Sequence, residues 1–356
     1  MKKSVLHVVP SAAANPLLLS TLDVSAADYA VISLTGSGPL EAALNGTAIP
    51  FRALGEGLNR FAQIQRLKTA LRDLGPQAVE FHALESGIAA SHLRHSMIRR
   101  PRFVYVRHHN LNHFLMKSRR GQVADKFIGH SVDHSIAVSE AVRDTMIAEM
   151  SPPHAVTTVR NALRWPFHSR KPGSRSSSGA IRLLAVGRLD WQKDYPTMLQ
   201  ALRLVVRKRG NIKLAIAGTG SLTYSSHMKR LSEELGLREH VEWLGQVDDI
   251  YQLMTNSDVL LHTARDEAFG LVLLEAMQVG LPVVSTGPGG AREVLAGFYD
   301  PLPVQQPTRV AKALERTIAE LELFENHALG LRERVRASFD VSTQVYGHLE
   351  VAVGIS

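Results

Sequence analysis

Glu267 and Glu275, in Glu267-Ala-Phe-Gly-Leu-Val-Leu-Leu-Glu275, set two carboxylates on either side of a glycine turn and an apolar run. Carboxylates accept hydrogen bonds from vicinal hydroxyls, and a charge-assisted bond of that kind contributes about 1.5–3 kcal/mol. Phe269-Gly270 lets the backbone turn tightly, and residues 271–277 read as a helix whose first N–H groups can face an anion. The anion we read there is a diphosphate. A plainer reading has Glu267 capping the helix and Glu275 lying on its solvated face.

The neighbouring segments favour the first reading. Arg182-Leu-Leu-Ala-Val-Gly187-Arg188-Leu189-Asp190-Trp-Gln-Lys193 reads as an apolar strand, a glycine turn with two cations, and the approach to an amphipathic helix. Open α/β sheets bind ligands at the carboxyl ends of their strands, and a guanidinium and an ammonium there suit two phosphates. A second strand, 213–217, runs into Gly218-Thr-Gly220, and a third, 282–285, runs into Gly287-Pro-Gly289-Gly290. Thr223 stands where a dinucleotide fingerprint requires its third glycine, so that cofactor class is rejected.

Taken together, these segments resemble the retaining family-four glycosyltransferases, which have the GT-B fold. The resemblance is dense over 183–293 and thinner over 101–161. It implies an α/β chain of two Rossmann-like doubly wound domains facing a central cleft. Glu267 and Glu275 match the family's E-x7-E motif, which implies that Glu267 meets the donor sugar hydroxyls and Glu275 the nucleotide ribose. By the same resemblance, Arg188 and Lys193 neutralise the donor diphosphate, while backbone at Gly218, Gly220, Phe269, Gly270 and Leu271 lines the nucleotide. The stretch ending at Val247 resembles the one whose backbone meets the base. Phe103-Val-Tyr-Val-Arg107-His108-His109 resembles a strand end that turns a histidine toward acceptor and donor sugar. His108 fits that place, with His109 and Ser139 on the acceptor side, although a helix N-cap explains Ser139 equally well. Three departures stand out: the loop Val9-Pro-Ser-Ala-Ala-Ala-Asn-Pro16 lacks the family's Gly-Gly pair, Ala162 follows Asn161 in place of glycine, and Ala264 replaces a frequent serine.

The resemblance further implies transfer of a sugar from a UDP- or GDP-sugar to a hydroxyl of a saccharide, lipid-linked or other acceptor, with retention at the anomeric carbon. Bacterial surface polysaccharide or glycolipid assembly is the setting it suggests. The sequence contains no Asp-x-Asp triplet, so neither a metal nor any other cofactor is expected. Arg188, Lys193 and a helix N-terminus would carry the leaving-group charge. A nucleotide-sugar 2-epimerase of the same fold is an enzymatic rival. A nucleotide-sugar-binding scaffold without catalysis is another, and the glycine-free loop supports it.

Positioning these groups demands many alternating elements. Strands are expected at 4–9, 29–34, 49–54, 78–82, 102–106, 134–138 and 157–160, then at 182–186, 213–217, 241–244, 258–262 and 282–285. Apolar residues recur at helical spacing over 59–71. Alternation of this kind argues for parallel sheets covered by helices. The polar stretch 166–179 reads as a linker between an acceptor-side domain, 1–165, and a nucleotide-sugar domain, 180–339. By resemblance, a last helix within 340–356 crosses back to the first domain.

Composition sets the outer bounds. With 356 residues and 45% apolar content, the chain can bury the cores of two α/β domains. It has no cysteine, which excludes disulfides and thiolate chemistry and is comfortable with the cytoplasm. The start superficially resembles a signal peptide, but His7, Pro10 and Asn15 interrupt its apolar region, so a first strand is expected. No stretch approaches the roughly 20 apolar residues that span a bilayer. The net charge is +8, of which residues 1–160 carry +6. Between Ser86 and Ala124 there is no acid, but there are Arg94, Arg99, Arg100, Arg102, Arg107, Lys117, Arg119 and Arg120. Such a run suits peripheral contact with an anionic inner-membrane face or a diphosphate-linked acceptor, or is a solvated basic face. Nucleic acid is disfavoured, since aromatic residues are 6% and no recognised binding motif occurs.

Overall fold

Runs such as Val5-Leu-His-Val-Val9 and Leu183-Leu-Ala-Val186 are apolar almost throughout, the pattern of strands covered on both faces. Each is followed by a helix, so successive strands pair in parallel. The computed structural model describes residues 3–13, 15–23, 25–94, 96–97, 100–109, 119–149, 155–164 and 179–354. Most of the expected linker, 166–178, lies outside the described residues, as do Arg99 and Lys117.

Contacts divide the chain into two units: Met1–Arg164 with Phe339–Ser356, and Trp165–Ser338. In chain order the first unit contains β1 (Ser4–Val9), α1 (Pro16–Thr21), β2 (Asp28–Ser33), α2 (Pro39–Leu44), β3 (Phe51–Ala53), α3 (Arg60–Leu74), β4 (Ala78–His82), α4 (Ala83–Arg94), β5 (Arg102–Arg107), α5 (Arg119–Ser131), β6 (His134–Ala137), α6 (Glu140–Glu149) and β7 (Val156–Thr158). The second unit follows with β8 (Ile181–Val186), α7 (Tyr195–Val206), β9 (Ile212–Ala217), α8 (Leu222–Glu234), β10 (Val241–Gly245), α9 (Ile250–Thr255), β11 (Val259–His262), α10 (Leu271–Val279), β12 (Val283–Ser285), α11 (Gly290–Leu295), α12 (Pro307–Ala319) and α13 (Leu321–Ser338). The chain then re-enters the first unit as α14 (Val341–Val353).

Both sheets are parallel, with strand orders β3-β2-β1-β4-β5-β6-β7 and β10-β9-β8-β11-β12. The order reverses between β1 and β4 in one sheet and between β8 and β11 in the other. Loops leaving those neighbours diverge to opposite faces, which opens a crevice at their carboxyl ends. The first core gathers Val5, Val31, Val104, Val106 and Ile136, and the second gathers Leu183, Leu214, Ile216, Leu261 and Val284. Helix α14 packs on α1, β4 and β5, and its buried Gln344 accepts a 2.9 Å hydrogen bond at Oε1 from the Ala162 N–H.

The basic run is less of a surface feature than its composition suggests. Arg107 is fully buried, with Nη2 2.9 Å from Glu149 Oε2, and Arg100 and Arg94 both pair with Asp133, at 2.5 and 3.5 Å. Among the described residues, no helix is long and apolar enough to cross a membrane.

Candidate functional site

In the second unit, the exits of β8, β9 and β10 lie side by side because their backbones bond to one another. The Gly187 N–H donates to the Ala217 carbonyl at 3.0 Å, the Leu189 N–H to Thr219 at 2.8 Å and the Gly218 N–H to Gly245 at 2.7 Å. Gly218 sits at φ +141°, and a β-carbon there would fall 2.0 Å from the Gly187 carbonyl oxygen. Gly220 meets the Leu189 carbonyl in the same way. Any side chain at either position would push the exits apart. Between them lies a pocket of about 340 Å³ bounded by Gly187, Arg188, Gly218, Gln246, Val247 and Glu275.

Gly270, at φ +100°, ends the loop after β11 and admits α10 without a side-chain cap. Glu267 therefore does not cap this helix. Its Oε2 lies 2.5 Å from Lys193 Nζ and 3.3 Å from His262 Nε2, whose Nδ1 is 3.0 Å from Ser285 Oγ. Burial disfavours the Glu267 carboxylate, but Lys193 and His262 outweigh it and bring the group down to about 2. Burial also lowers His262, so Lys193 is the cation of this trio. The Gly290 N–H donates to the Glu267 carbonyl at 2.9 Å, and a β-carbon at Gly290 would strike Ala268. The third glycine-rich exit thus braces the Glu267 turn. Phe269 is buried, and it, Gly270 and Leu271 form the helix start outside the lining of the 340 Å³ pocket.

Lys193 reaches Glu267 because Asp190 starts a short 3-10 turn over Trp191–Lys193, accepting from the Gln192 N–H at 3.0 Å. Gln192 Nε2 donates to Asp266 at 2.9 Å and ties the β8 exit to the β11 exit. Arg188 is the more open of the two cations: its side chain is 76% exposed, with a 3.3 Å contact to Asp190 and a 3.2 Å bond from Nη2 to Gln192 Oε1. Glu275 sits half-buried in the pocket wall with no ion pair among the described residues. Burial alone raises its carboxyl to about 7. The two acids, alike in sequence, therefore differ sharply in charge state near neutrality.

In the first unit, His108 follows β5, and its Nε2 is 2.8 Å from His82 Nδ1. His82 Nε2 is 2.9 Å from His7 Nδ1, and Glu80 Oε2 is 2.9 Å from His348 Nδ1. His7, Glu80, His82 and His348 were not distinguished by sequence. The available signal was Glu80-x-His82 inside an apolar strand, since period two puts both side chains on one face. His7 Nδ1, Glu80 Oε2 and His82 Nε2 lie within 4.8 Å of one another, the one cluster among the described residues with the composition and spacing of a metal site. Both nitrogens already sit at hydrogen-bond distance from each other. The His109 carbonyl accepts from Arg107 Nε at 3.2 Å. Buried Ser139 Oγ accepts from the Val142 N–H at 3.1 Å, which is the capping role.

Comparison with known proteins adds independent findings. Residues 169–337 match the family described as Glycosyl transferases group 1, and residues 21–163 match Glycosyltransferase Family 4. The chain is 31% identical over 231 residues to the phosphatidylinositol N-acetylglucosaminyltransferase gpi3 subunit of Schizosaccharomyces pombe, covering 64% of this chain and 48% of that one. It is 26% identical over 234 residues to a glycogen synthase of Mycobacterium tuberculosis, covering 64% and 55%. The chain spans about half the length of the curated relatives it matches. Among solved structures, Anabaena Alr3699/HepE in complex with UDP-glucose superposes with a TM-score of 0.84 at 20% identity, covering 97% of each chain. WaaG, a glycosyltransferase involved in lipopolysaccharide biosynthesis, superposes with a TM-score of 0.69 at 16% identity, covering 99% and 100%. These likenesses establish a shared fold.

Proposed function

The chain belongs to the family-four glycosyltransferases of the GT-B fold, and from that premise we propose that it moves a sugar from a nucleotide-diphosphate sugar to an acceptor hydroxyl with retention. The observation that carries this reading is the pocket at the β8, β9 and β10 exits, with Glu275 in its wall and Arg188 at its edge. Glu275 accepts hydrogen bonds from the ribose hydroxyls, and the diol holds the carboxylate in its charged form. Arg188 and Lys193 meet the diphosphate, and Glu267, ionised at neutral pH, accepts from the sugar hydroxyls.

In the transfer step the bond from the anomeric carbon to the phosphate oxygen breaks, and a bond to the acceptor oxygen forms on the same face. The acceptor proton passes to the departing phosphate oxygen, so no dedicated base is required. Arg188, Lys193 and the start of α10 offset the charge that builds on the leaving group, and no metal takes part. UDP is the favoured nucleotide, because the similar Anabaena structure holds UDP-glucose. The acceptor is a saccharide or lipid-linked hydroxyl in bacterial surface polysaccharide or glycolipid assembly, and the protein works in the cytoplasm with peripheral membrane contact.

Thermal-shift titration with nucleoside diphosphates, with and without magnesium, followed by product analysis with the matching nucleotide sugars, tests this. Selective, metal-independent stabilisation and a glycosylated product are expected. Binding without transfer or slow donor hydrolysis would assign the chain to a binding protein, and an epimerised donor in the absence of acceptor would assign it to the 2-epimerases.

A further inference from the structure

A line of buried polar side chains crosses the first unit from α14 to the end of β5. His348 Nδ1 is 2.9 Å from Glu80 Oε2, and His7 Nδ1 is 3.4 Å from the same oxygen. His7 Nδ1 is also 2.9 Å from His82 Nε2, and His82 Nδ1 is 2.8 Å from His108 Nε2. The register of β1 on β4 sets His7 opposite Glu80, with His82 two residues on along the same face. His7, Glu80 and His82 are buried.

A neutral imidazole has one donor nitrogen and one acceptor nitrogen, so fixing the proton on one ring fixes it on the next. An ionised Glu80 can only accept. His348 must then present an Nδ1–H to it. Of the two rings that share a proton beside this oxygen, His7 Nδ1 lies nearer to it, at 3.4 Å, than His82 Nε2, at 3.7 Å, which favours the proton on His7. With that proton on His7 Nδ1, His82 Nε2 is an acceptor, His82 Nδ1 carries the proton, and His108 Nε2 accepts it. The His108 proton is left on Nδ1. The opposite order would set the lone pair of His7 Nδ1 against the carboxylate. Either order leaves one buried N–H without a partner among the described residues, at His7 Nε2 in the opposite order and at His108 Nδ1 in this one, so the carboxylate decides between them.

We propose that Glu80 sets the tautomer of His108 through His7 and His82, so that His108 offers an Nδ1–H donor and no basic lone pair. His108 Nδ1 is buried and without a partner among the described residues, as a donor reserved for a ligand oxygen would be. The oxygen is a substrate hydroxyl, and this identity rests on the function proposed above. His7, His82, Glu80 and His348 are positioning residues.

The rings of His7, His82 and His108 stay neutral at working pH. Burial lowers His7 and His108 to about 4 and takes His82 well below its ordinary value. Burial opposes ionisation of Glu80, but His348 and His7 bring it below the ordinary carboxylate value. Among the described residues, Tyr29 on β2 also faces the line, its ring 5.6 Å from that of His7, and burial keeps its hydroxyl protonated. Arg107, beside His108 in the chain, is committed to Glu149 and the His109 carbonyl.

Long-range ¹H–¹⁵N correlation spectra of the full ¹⁵N-labelled chain test the proposal, with the His108 signals identified by their loss in His108→Asn. An Nδ1-protonated His108 is expected in the parent at pH 7. Glu80→Gln, whose amide donates to His7 Nδ1, is expected to reverse the line and move the His108 proton to Nε2. An Nε2-protonated or charged His108 in the parent overturns the proposal, as does an unchanged pattern in folded Glu80→Gln. Zinc binding that shifts His7 and His82 together would make them ligands and also overturn it. If Glu80→Gln does not fold, the parent spectrum decides alone. The spectra need no substrate, so this result stands apart from whether transfer is detected.

Discussion

Lys193 Nζ and Glu267 Oε2, 74 residues apart in the chain, meet at 2.5 Å across the exits of β8 and β11. The cation expected on the diphosphate and the acid expected on the sugar are therefore one ion pair. Both are largely shielded, with side-chain exposures of 18% and 14%. A diphosphate placed beside Lys193 competes with Glu267 for it.

Lys193→Ala should weaken nucleoside diphosphate binding by more than tenfold, with little change for the nucleoside. A charge-assisted bond contributes about 1.5–3 kcal/mol, and the variant also leaves Glu267 as an unpaired anion near the phosphates. Arg188→Ala removes a solvated guanidinium and should cost less. Isothermal titration calorimetry decides: if both variants bind the diphosphate like the parent, neither residue serves it.

Glu267→Gln should destabilise the protein most at neutral pH. The folded carboxyl titrates at about 2, below its ordinary 4.5, so its stabilisation is present above 4.5 and disappears as pH falls toward 2. The loss should be about 2–3 kcal/mol at pH 7 and much smaller at pH 3. Urea unfolding at the two pH values measures it, and an equal loss at both would mean the ion pair contributes nothing.

Glu275→Gln should do the opposite. Its carboxyl titrates at about 7 when folded, above 4.5, so the folded state holds the proton more tightly and stability falls as pH rises from 4.5 through 7. At pH 8 the variant should be more stable than the parent by about 1–3 kcal/mol, the range allowing for partial solvent access. At pH 4 the two should match, and nucleotide binding should be weaker in the variant throughout. Thermal melts across this range would expose a wrong sign directly.

Gly218→Ala should lose at least about 2 kcal/mol and most nucleotide affinity, because a β-carbon strikes the Gly187 carbonyl at a positive φ. Gly236→Ala is the control: it also has a positive φ, but nothing lies within 4 Å of its β-carbon, so only about 1 kcal/mol should be lost. Equal melting temperatures for the two variants would show that the close approach of the strand exits is unimportant.

Sequence by itself determined the elements and their order. Apolar runs and helical spacing are local, and they placed β1 at Ser4–Val9, β4 at Ala78–His82 and the α10 start at Leu271. Local pattern also put Arg188, Gly218 and Glu275 at strand exits or on the helix beside them, where the pocket formed. What tertiary structure alone decided was pairing. Strand order brought β8 against β11, and only then did Lys193, Glu267 and His262 meet. Parallel register likewise put His7 against Glu80 and His82 from elements more than seventy residues apart. Burial, a property of the whole fold, separated two glutamates of one motif into a strong acid and a neutral-range one. It also stripped Arg107 of the surface role that its neighbours in sequence had suggested. Charge state and partner choice depend on what the completed core excludes from water, and no window of sequence carries that information.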